Sequence, residues 1–347
     1  MKPIGIFGGG QLAMMLARAA TKLQLKTHVF APNASCPAAQ TADQLIIGEY
    51  EDLAAITRFA KTCSVISFEF ENIPVRSLFH LQNNGQQVAP SPRVLQIIQD
   101  RLTEKQFLQS CQIALSPFAR IDQSEDLRAA LTLTGLPAVL KTRHFGYDGK
   151  GQTWIRQPAE AQKALEYIHH HPAVLERGVD FVREVSLIAA RNANGAFVHF
   201  PLTENVHQDG ILQTSNQPAG CNGKTAMQAV AITRKIAEQL EYVGVLAVEF
   251  FEQTNGSLLV NEIAPRVHNS GHWTIGAANP DQFELHIRAI TGMELPVPVC
   301  QPAQMQNLIA EQINHAPQLR KQGWTITDYG KTNIRAGRKM GHAVRVN

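Results

Sequence analysis

No uninterrupted apolar run in this chain approaches the roughly 18 residues that a membrane-spanning helix needs. A basic, then apolar, then small-residue leader is missing too, because Met1-Lys2-Pro3 passes at once into an apolar strand pattern. The chain is therefore expected to be cytoplasmic, with no membrane partner. Cysteine is scarce: Cys36, Cys63, Cys111, Cys221 and Cys300 are odd in number, far apart and include no CxxC pair. That spacing argues against a thiolate zinc site and favours reduced, structural thiols. Charged residues are only 18% of the chain, and a formal net charge of +3 with a pI near 8.6 is too mild to point to nucleic acid. No long polar or low-complexity stretch marks a disordered region.

What the chain does have is length and apolar residues. At 347 residues and 44% hydrophobic content it exceeds what one core normally serves, so two or three domains are expected. Residues 3–8 read as a strand running into Gly8-Gly9-Gly10, and 11–23 carry helical apolar spacing. Strand patterns at 27–31, 45–47 and 65–70 alternate with helical ones at 52–61 and 75–82, which predicts a small parallel sheet. Ser91-Pro92 opens a predicted helix running to about Ser110. A compact α+β unit follows to Glu176, then mainly antiparallel strands, with a helix over about 224–241 and a hairpin centred on Asn255-Gly256. Pro296, Pro298 and Pro302 form a stiff break. The expected units are 1–96, 97–295 and 296–347. The last one ends in a basic tail, with Arg320, Lys321, Lys331, Arg335, Arg338, Lys339 and Arg345 against Asp328, able to hold an anion.

Chemistry is concentrated in three places. If Asn255-Gly256 is a two-residue turn, Glu249 lies directly opposite Glu262, and like charges so placed destabilise a hairpin unless a cation compensates them. Mg²⁺ takes carboxylate oxygens and completes its shell with phosphates. A longer turn with two separately solvated glutamates is the alternative. The second place is the loop 142–151, where Gly146, Gly149 and Gly151 let backbone N–H groups converge on a phosphate and Lys141 and Lys150 add charge. It lacks GxxxxGK[ST] spacing, and a plain glycine-rich hairpin is the alternative. The third is the segment leaving Glu262: Arg266 offers a planar fork for a small anion such as bicarbonate, with His268 and Asn269 as further donors. A polar loop using Asn and Ser for turns is the alternative there. Gly8-Gly9-Gly10-Gln11-Leu12-Ala13 fits a dinucleotide fingerprint, but Phe30-Ala31-Pro32-Asn33 supplies no acid for a ribose diol, so the helix N-terminus is expected simply to receive an anionic group. The run His169-His170-His171 before Pro172 suits a helix C-terminus better than a metal.

Taken together, GGGQL at 8–12, FEFENIP at 68–74, QDRLTEKQFL at 99–108, AVLKTRHFGYDGKGQ at 138–152, ENVHQDGIL at 204–212, VNEIAPRVHNSGHWT at 260–274 and GRKMGH at 337–342 resemble the N5-carboxyaminoimidazole ribonucleotide synthetase family. The resemblance implies an α/β and α+β architecture: the ATP-grasp fold with a parallel-sheet pre-ATP-grasp domain, a small lid at about 116–176 and a small C-terminal β-rich domain, usually in a homodimer. It implies that bicarbonate, ATP and 5-aminoimidazole ribonucleotide are the substrates and Mg²⁺ the metal. In the roles it implies, Lys105 and Lys141 contact ATP phosphates, Glu176 and Val179 hold adenine, Glu184 takes the ribose, and His207 and Asn261 lie at the nucleotide. Glu249 and Glu262 bind Mg²⁺, and Arg266, His268 and Asn269 hold bicarbonate and carboxyphosphate. Tyr147, Asp148, Lys150, Lys331 and Arg338 grip the ribonucleotide. Three departures stand out. Phe145 replaces a usual glycine, so the loop is expected to close differently; Ala13-Met14 stands where Gly-Arg is common; and Val267 replaces a proline. The rivals are another ATP-grasp carboxylase or transformylase acting on a related ribonucleotide, and a non-catalytic nucleotide-binding protein.

Overall fold

The computed structural model describes residues 2–146 and 149–347. The expected ribonucleotide contacts Tyr147 and Asp148 lie outside the described residues. Among the described residues no helix is long and apolar enough to cross a membrane, and all five cysteines are unbonded.

The N-terminal unit runs β1 (Ile4–Phe7), α1 (Gln11–Lys22), β2 (Thr27–Ala31), β3 (Gln44–Ile47), α2 (Leu53–Lys61), β4 (Val65–Phe68) and α3 (Val75–Asn83). Its sheet is parallel in the order β3-β2-β1-β4. β1 and β4 are buried along their whole length, as strands covered by helices on both faces must be, and the one polar side chain among them, Ser67, is satisfied by His286 Nε2 at 2.9 Å. The N-terminus of α1 receives an anion, as its glycine turn predicts, but the anion belongs to the chain: Glu69 accepts from Gly10 N–H and from Ala13 N–H at 2.9 Å. Burial raises the Glu69 pKa in spite of those donors.

The single helix expected from 92 to about 110 is two, α4 (Pro92–Ile98) and α5 (Arg101–Ser110). Asp100 breaks it. Its backbone is extended, its carboxylate caps α5 by accepting from Leu102 N–H and Thr103 N–H, and Arg143 grips both carboxylate oxygens. A buried acid with those partners favours an N-cap over a helix interior.

The next unit comprises β5 (Phe118–Ile121), α6 (Asp126–Thr134), β6 (Ala138–Thr142), β7 (Gln152–Ile155), α7 (Ala161–Tyr167) and β8 (Ala173–Arg177). It is an antiparallel sheet in the order β5-β8-β6-β7 over its own core of Ile121, Leu127, Leu140, Leu165 and Leu175. Each such side chain contributes about 1.5–3 kcal/mol on full burial.

The remainder runs β9 (Arg183–Arg191), β10 (Phe197–His199), β11 (Thr203–Gln208), β12 (Ile211–Gln217), α8 (Gly223–Gln239), β13 (Gly244–Glu252), β14 (Leu258–Ala264), α9 (Thr274–Ala277), β15 (Ala278–Asn279), α10 (Gln282–Ile290), β16 (Val299–Cys300), β17 (Ala303–Ile309), α11 (Ala316–Lys321), β18 (Thr325–Asp328) and β19 (Lys339–Val346). The large sheet orders β14-β13-β9-β11-β12-β17-β19-β18, with β10 on β9. The C-terminal strands β17 to β19 thus extend the sheet that carries the acidic hairpin, and this brings the basic tail into the same layer.

Candidate active site

Glu249 and Glu262 face each other across β13 and β14, but not by the expected route. The turn holds three residues, not two: Gln253 N–H bonds Ser257 O at 2.9 Å, Gly256 N–H bonds Gln253 O at 2.8 Å, and Gly256 takes a φ of 79°. That longer turn shifts the pairing by one residue, to Phe250 with Val260 and Glu252 with Leu258. A β-bulge between Glu249 and Phe250 then absorbs the shift, with Asn261 as the extra residue. Two departures from a plain hairpin cancel at the acids. The bulge also directs the Asn261 side chain into the site.

Both acids lie in a field of cations. Arg101 Nη1 sits 3.0 Å from Glu262 Oε2. Burial alone would raise the Glu262 pKa, but Arg101 and then Lys141 and His268 outweigh it and hold the pair's lower titration at about 2. Burial and the facing Glu262 push Glu249 up to about 7. Two facing carboxylates resist ionising together, and Arg101 decides which of them ionises first. His268 Nε2 lies 3.3 Å from Glu249 Oε1. Its Nδ1 accepts from Ser270 N–H, so the proton is on Nε2 and His268 is a donor toward Glu249.

Beside the hairpin, Lys105 and Lys141 lie 3.1 and 3.2 Å from Glu176 Oε2. Lys105 also donates to Asn261 O at 2.8 Å, and Lys141 is 3.5 Å from Asn261 Oδ1. Two lysines, one of them 1% exposed, converge on one carboxylate; burial pulls the Lys141 pKa down. Glu176 therefore turns its carboxylate to the lysines, and Val179 follows it on the connection to β9. Glu184 on β9 pairs with His207 on β11.

On the other side, Arg266 Nε is 2.7 Å from Glu71 Oε1 and Nη1 donates to Val267 O. Glu71 first, then Glu262 and Glu69, raise the Arg266 pKa against burial, and His268, two residues on, reaches Glu249. Asn269, expected to face the small anion, is half-buried; its amide pairs reciprocally with the Asn307 amide and donates to His272 Nδ1. In the tail, Lys331 donates to Lys339 O and Arg338 to Asn333 O. Burial, then Arg338, lowers the Lys331 pKa to about 8, and Glu69 opposes them. Lys331 and Arg338 thus lie within each other's field, and Glu69 acts on both Lys331 and Arg266.

The glycine loop departs where its sequence does. Phe145 is 76% exposed with a φ of 62°, a conformation that glycine holds at no cost. Gly149 and Gly151 are also left-handed, and a Cβ on Gly149 would come 2.9 Å from Asp209 O, so the loop lies against the β11–β12 turn. Gly146 lies beside the Arg101 side chain and the Lys150 carbonyl.

Four participants escaped the sequence reading: Glu69, Glu71, Arg101 and Glu104. Glu104 accepts from Ile263 N–H at 2.6 Å, fixing β14 just past Glu262, and burial raises its pKa to about 7. The signal was present in the acids of FEFENIP and the charges of QDRLTEK, but neither string has a spacing that shows what it faces.

Among the described residues no three His, Cys, Asp or Glu side chains converge as a closed metal cage. A carboxylate pair beside lysines instead suits Mg²⁺ whose other ligands are phosphate oxygens. The whole can bind a nucleoside triphosphate and polarise its phosphates, with a donor-lined space next to it for a small anion.

Residues 106–283 match the family model of the ATP-grasp domain, 1–99 that of the ribonucleotide synthetase preATP-grasp domain and 303–347 that of the phosphoribosylaminoimidazole carboxylase C-terminal domain. The N5-carboxyaminoimidazole ribonucleotide synthase of Brucella melitensis is 46% identical over 347 residues, covering 99% of this chain and 96% of that one. The N5-carboxyaminoimidazole synthetase of Staphylococcus aureus, solved with ADP, is similar at a TM-score of 0.95 and 37% identity, over 100% of this chain and 93% of that one. The synthase of Aspergillus clavatus, solved with ADP and 5-aminoimidazole ribonucleotide, gives 0.93 at 26% identity, over 100% and 94%. With a match that runs the length of the chain in all three segments, the protein belongs to the N5-carboxyaminoimidazole ribonucleotide synthase family of ATP-grasp ligases.

Proposed function

We propose that the protein carboxylates 5-aminoimidazole ribonucleotide with bicarbonate at the expense of ATP, giving N5-carboxyaminoimidazole ribonucleotide, ADP and phosphate in purine biosynthesis. The observation that carries this reading is the opposition of Glu249 and Glu262, with Lys105 and Lys141 held at Asn261 beside Glu262 and His268, two residues from Arg266, against Glu249, in a chain of this family. Bicarbonate oxygen attacks the γ-phosphorus, the bond to the β-phosphate oxygen breaks, and ADP leaves. The carboxyphosphate so formed releases phosphate as its C–O bond breaks, and the exocyclic amine takes up the CO₂ unit and loses a proton.

In this reading Lys105 and Lys141 exchange Glu176 for ATP phosphates, and the hinge at Glu176 and Val179 takes the adenine. Glu184, with His207, takes the ribose. Asn261 holds Lys105 and Lys141 toward the phosphates, and Gly146, Gly149 and Gly151 let the loop close over them. Glu249 and Glu262 hold Mg²⁺, which when bound neutralises charge on the transferring phosphoryl group. Arg266 and His268 hold the one-carbon anion as fixed donors, shielding an unstable species from water. Tyr147, Asp148, Lys150, Lys331 and Arg338 grip the ribonucleotide. The family relation supports a cytoplasmic homodimer.

Phosphate release measured with ATP and bicarbonate, with and without 5-aminoimidazole ribonucleotide, tests the reading. Stimulation by the ribonucleotide is expected; its absence would overturn the choice of acceptor. Lys331 gives a pH signature. Below about 8 it is an ammonium suited to the ribose phosphate, and above that it loses its charge. Hence kcat/KM for the ribonucleotide should fall roughly tenfold from pH 7 to 9, reporting a free-enzyme group, with the KM for ATP nearly unchanged. Lys331→Ala should raise the ribonucleotide KM at pH 7 and flatten that profile. A profile unaltered by the substitution would refute the role.

A further inference from the structure

Behind the reaction loop lies a buried polar chain that the proposed chemistry does not use. It begins at a backbone carbonyl: Asn307 Nδ2, on β17, donates to Leu212 O at 2.8 Å and to Asn269 Oδ1 at 2.8 Å. A carbonyl only accepts, so the Asn307 nitrogen must face Leu212 and its oxygen must face Asn269. Asn269 Nδ2 returns a bond to Asn307 Oδ1 at 3.0 Å and sends its second hydrogen to His272 Nδ1 at 2.9 Å. His272 Nδ1 is thereby an acceptor, and its proton sits on Nε2.

Tyr329 joins through the second imidazole: its hydroxyl bonds His342 Nδ1 on β19 at 2.9 Å, and at 3.4 Å from His272 Nδ1, whose one lone pair Asn269 already fills, it makes only a packing contact. The two imidazoles lie ring to ring at 4.7 Å. Tyr329, His342 and His272 are at most 1% exposed and Asn307 is 3% exposed. Among the described residues His272 Nε2 and His342 Nε2 have no hydrogen-bond partner, which is costly for a buried polar group. An apolar trio would fill the same space without that cost, so stability alone does not account for the arrangement.

The chain's two ends adjoin residues proposed above for different substrates. Asn269 and His272 belong to the loop that carries Arg266 and His268. Tyr329 is two residues from Lys331, whose ammonium lies 5.2 Å from the Tyr329 ring centroid. We propose that Tyr329 and Asn307 are positioning residues that tie the ribonucleotide-binding tail to the carboxyphosphate loop, so that the loop is held in its donor geometry when the ribonucleotide seats the tail. This rests on the function proposed above. The consequence is coupling: ATP is consumed in step with carboxylation.

Tyr329→Phe tests it by removing one oxygen from a ring that stays packed. Phosphate release and carboxylated product are measured together over a range of ribonucleotide, with ATP varied separately. The expected result is about a tenfold lower kcat/KM for the ribonucleotide, more than one phosphate released per carboxylation, and an unchanged KM for ATP. The double variant Tyr329→Phe/His342→Phe removes the hydroxyl, its Nδ1 partner and one orphaned nitrogen together. It should melt no lower than wild type while losing the same coupling. Retention of one phosphate per product with kcat/KM within twofold of wild type, in either variant, overturns the proposal; so does a loss shared equally by both substrates. Failure of the wild type to respond to the ribonucleotide would instead strike the proposed function.

Discussion

Replacing Glu262 by Gln is expected to leave the fold intact and to cut turnover by about a hundred- to a thousand-fold. The substitution keeps the side-chain volume and leaves an oxygen for Arg101, which lies 3.0 Å from the carboxylate. What it removes is the member of the pair that stays ionised, held near 2 by Arg101 against the effect of burial. A cation bridging strand and phosphates loses its more dependable ligand, while the core behind β14 is untouched. Turnover within tenfold of wild type would refute the metal assignment. A large drop in melting temperature would mean that the loss of activity reports unfolding instead.

Glu176→Gln should act on stability first. Two lysine ammoniums share Glu176 Oε2, at 3.1 and 3.2 Å, in a buried setting. Removing one partner of such a cluster leaves uncompensated buried charge and costs about 3–5 kcal/mol. A nucleotide's phosphates can take the missing place, so ADP should raise the melting temperature of the variant more than that of the wild type. The pH dependence has a definite sign. Burial would raise the Glu176 pKa, but Lys105 and Lys141 hold it near 2, below its ordinary 4.5. Its contribution is therefore fully present above about 4.5 and is lost as pH falls toward 2, so the melting gap between wild type and variant should narrow only on acidification. Equal melting temperatures at pH 7 would contradict the charge cluster.

Much of this molecule could be read from the order of residues, for identifiable reasons. β1, α1 and β2 carry strong local signals: an apolar run, a glycine turn and helical spacing. The opposition of Glu249 and Glu262 was legible too, although through a turn one residue too short, which a bulge at Asn261 compensates. Bulges have no sequence signature comparable to Asn-Gly. What stayed hidden depends on long-range partners. The helix break at Asp100 needs Arg143, the plug on α1 needs Glu69 from just past β4, and the pairing of Asn269 needs Asn307. Each is a polar contact spanning 38 residues or more, and local pattern does not encode those.

Binding of Mn²⁺, a spectroscopic stand-in for Mg²⁺, probes the shared cation most directly. Free Mn²⁺ would be followed by electron paramagnetic resonance during titration with protein and ADP. Wild type should take up one ion per nucleotide site more tightly than ADP alone does, and the Glu249→Gln/Glu262→Gln variant should lose at least tenfold of that affinity while still binding ADP. Equal Mn²⁺ affinity in the two proteins would contradict a cation held between these acids.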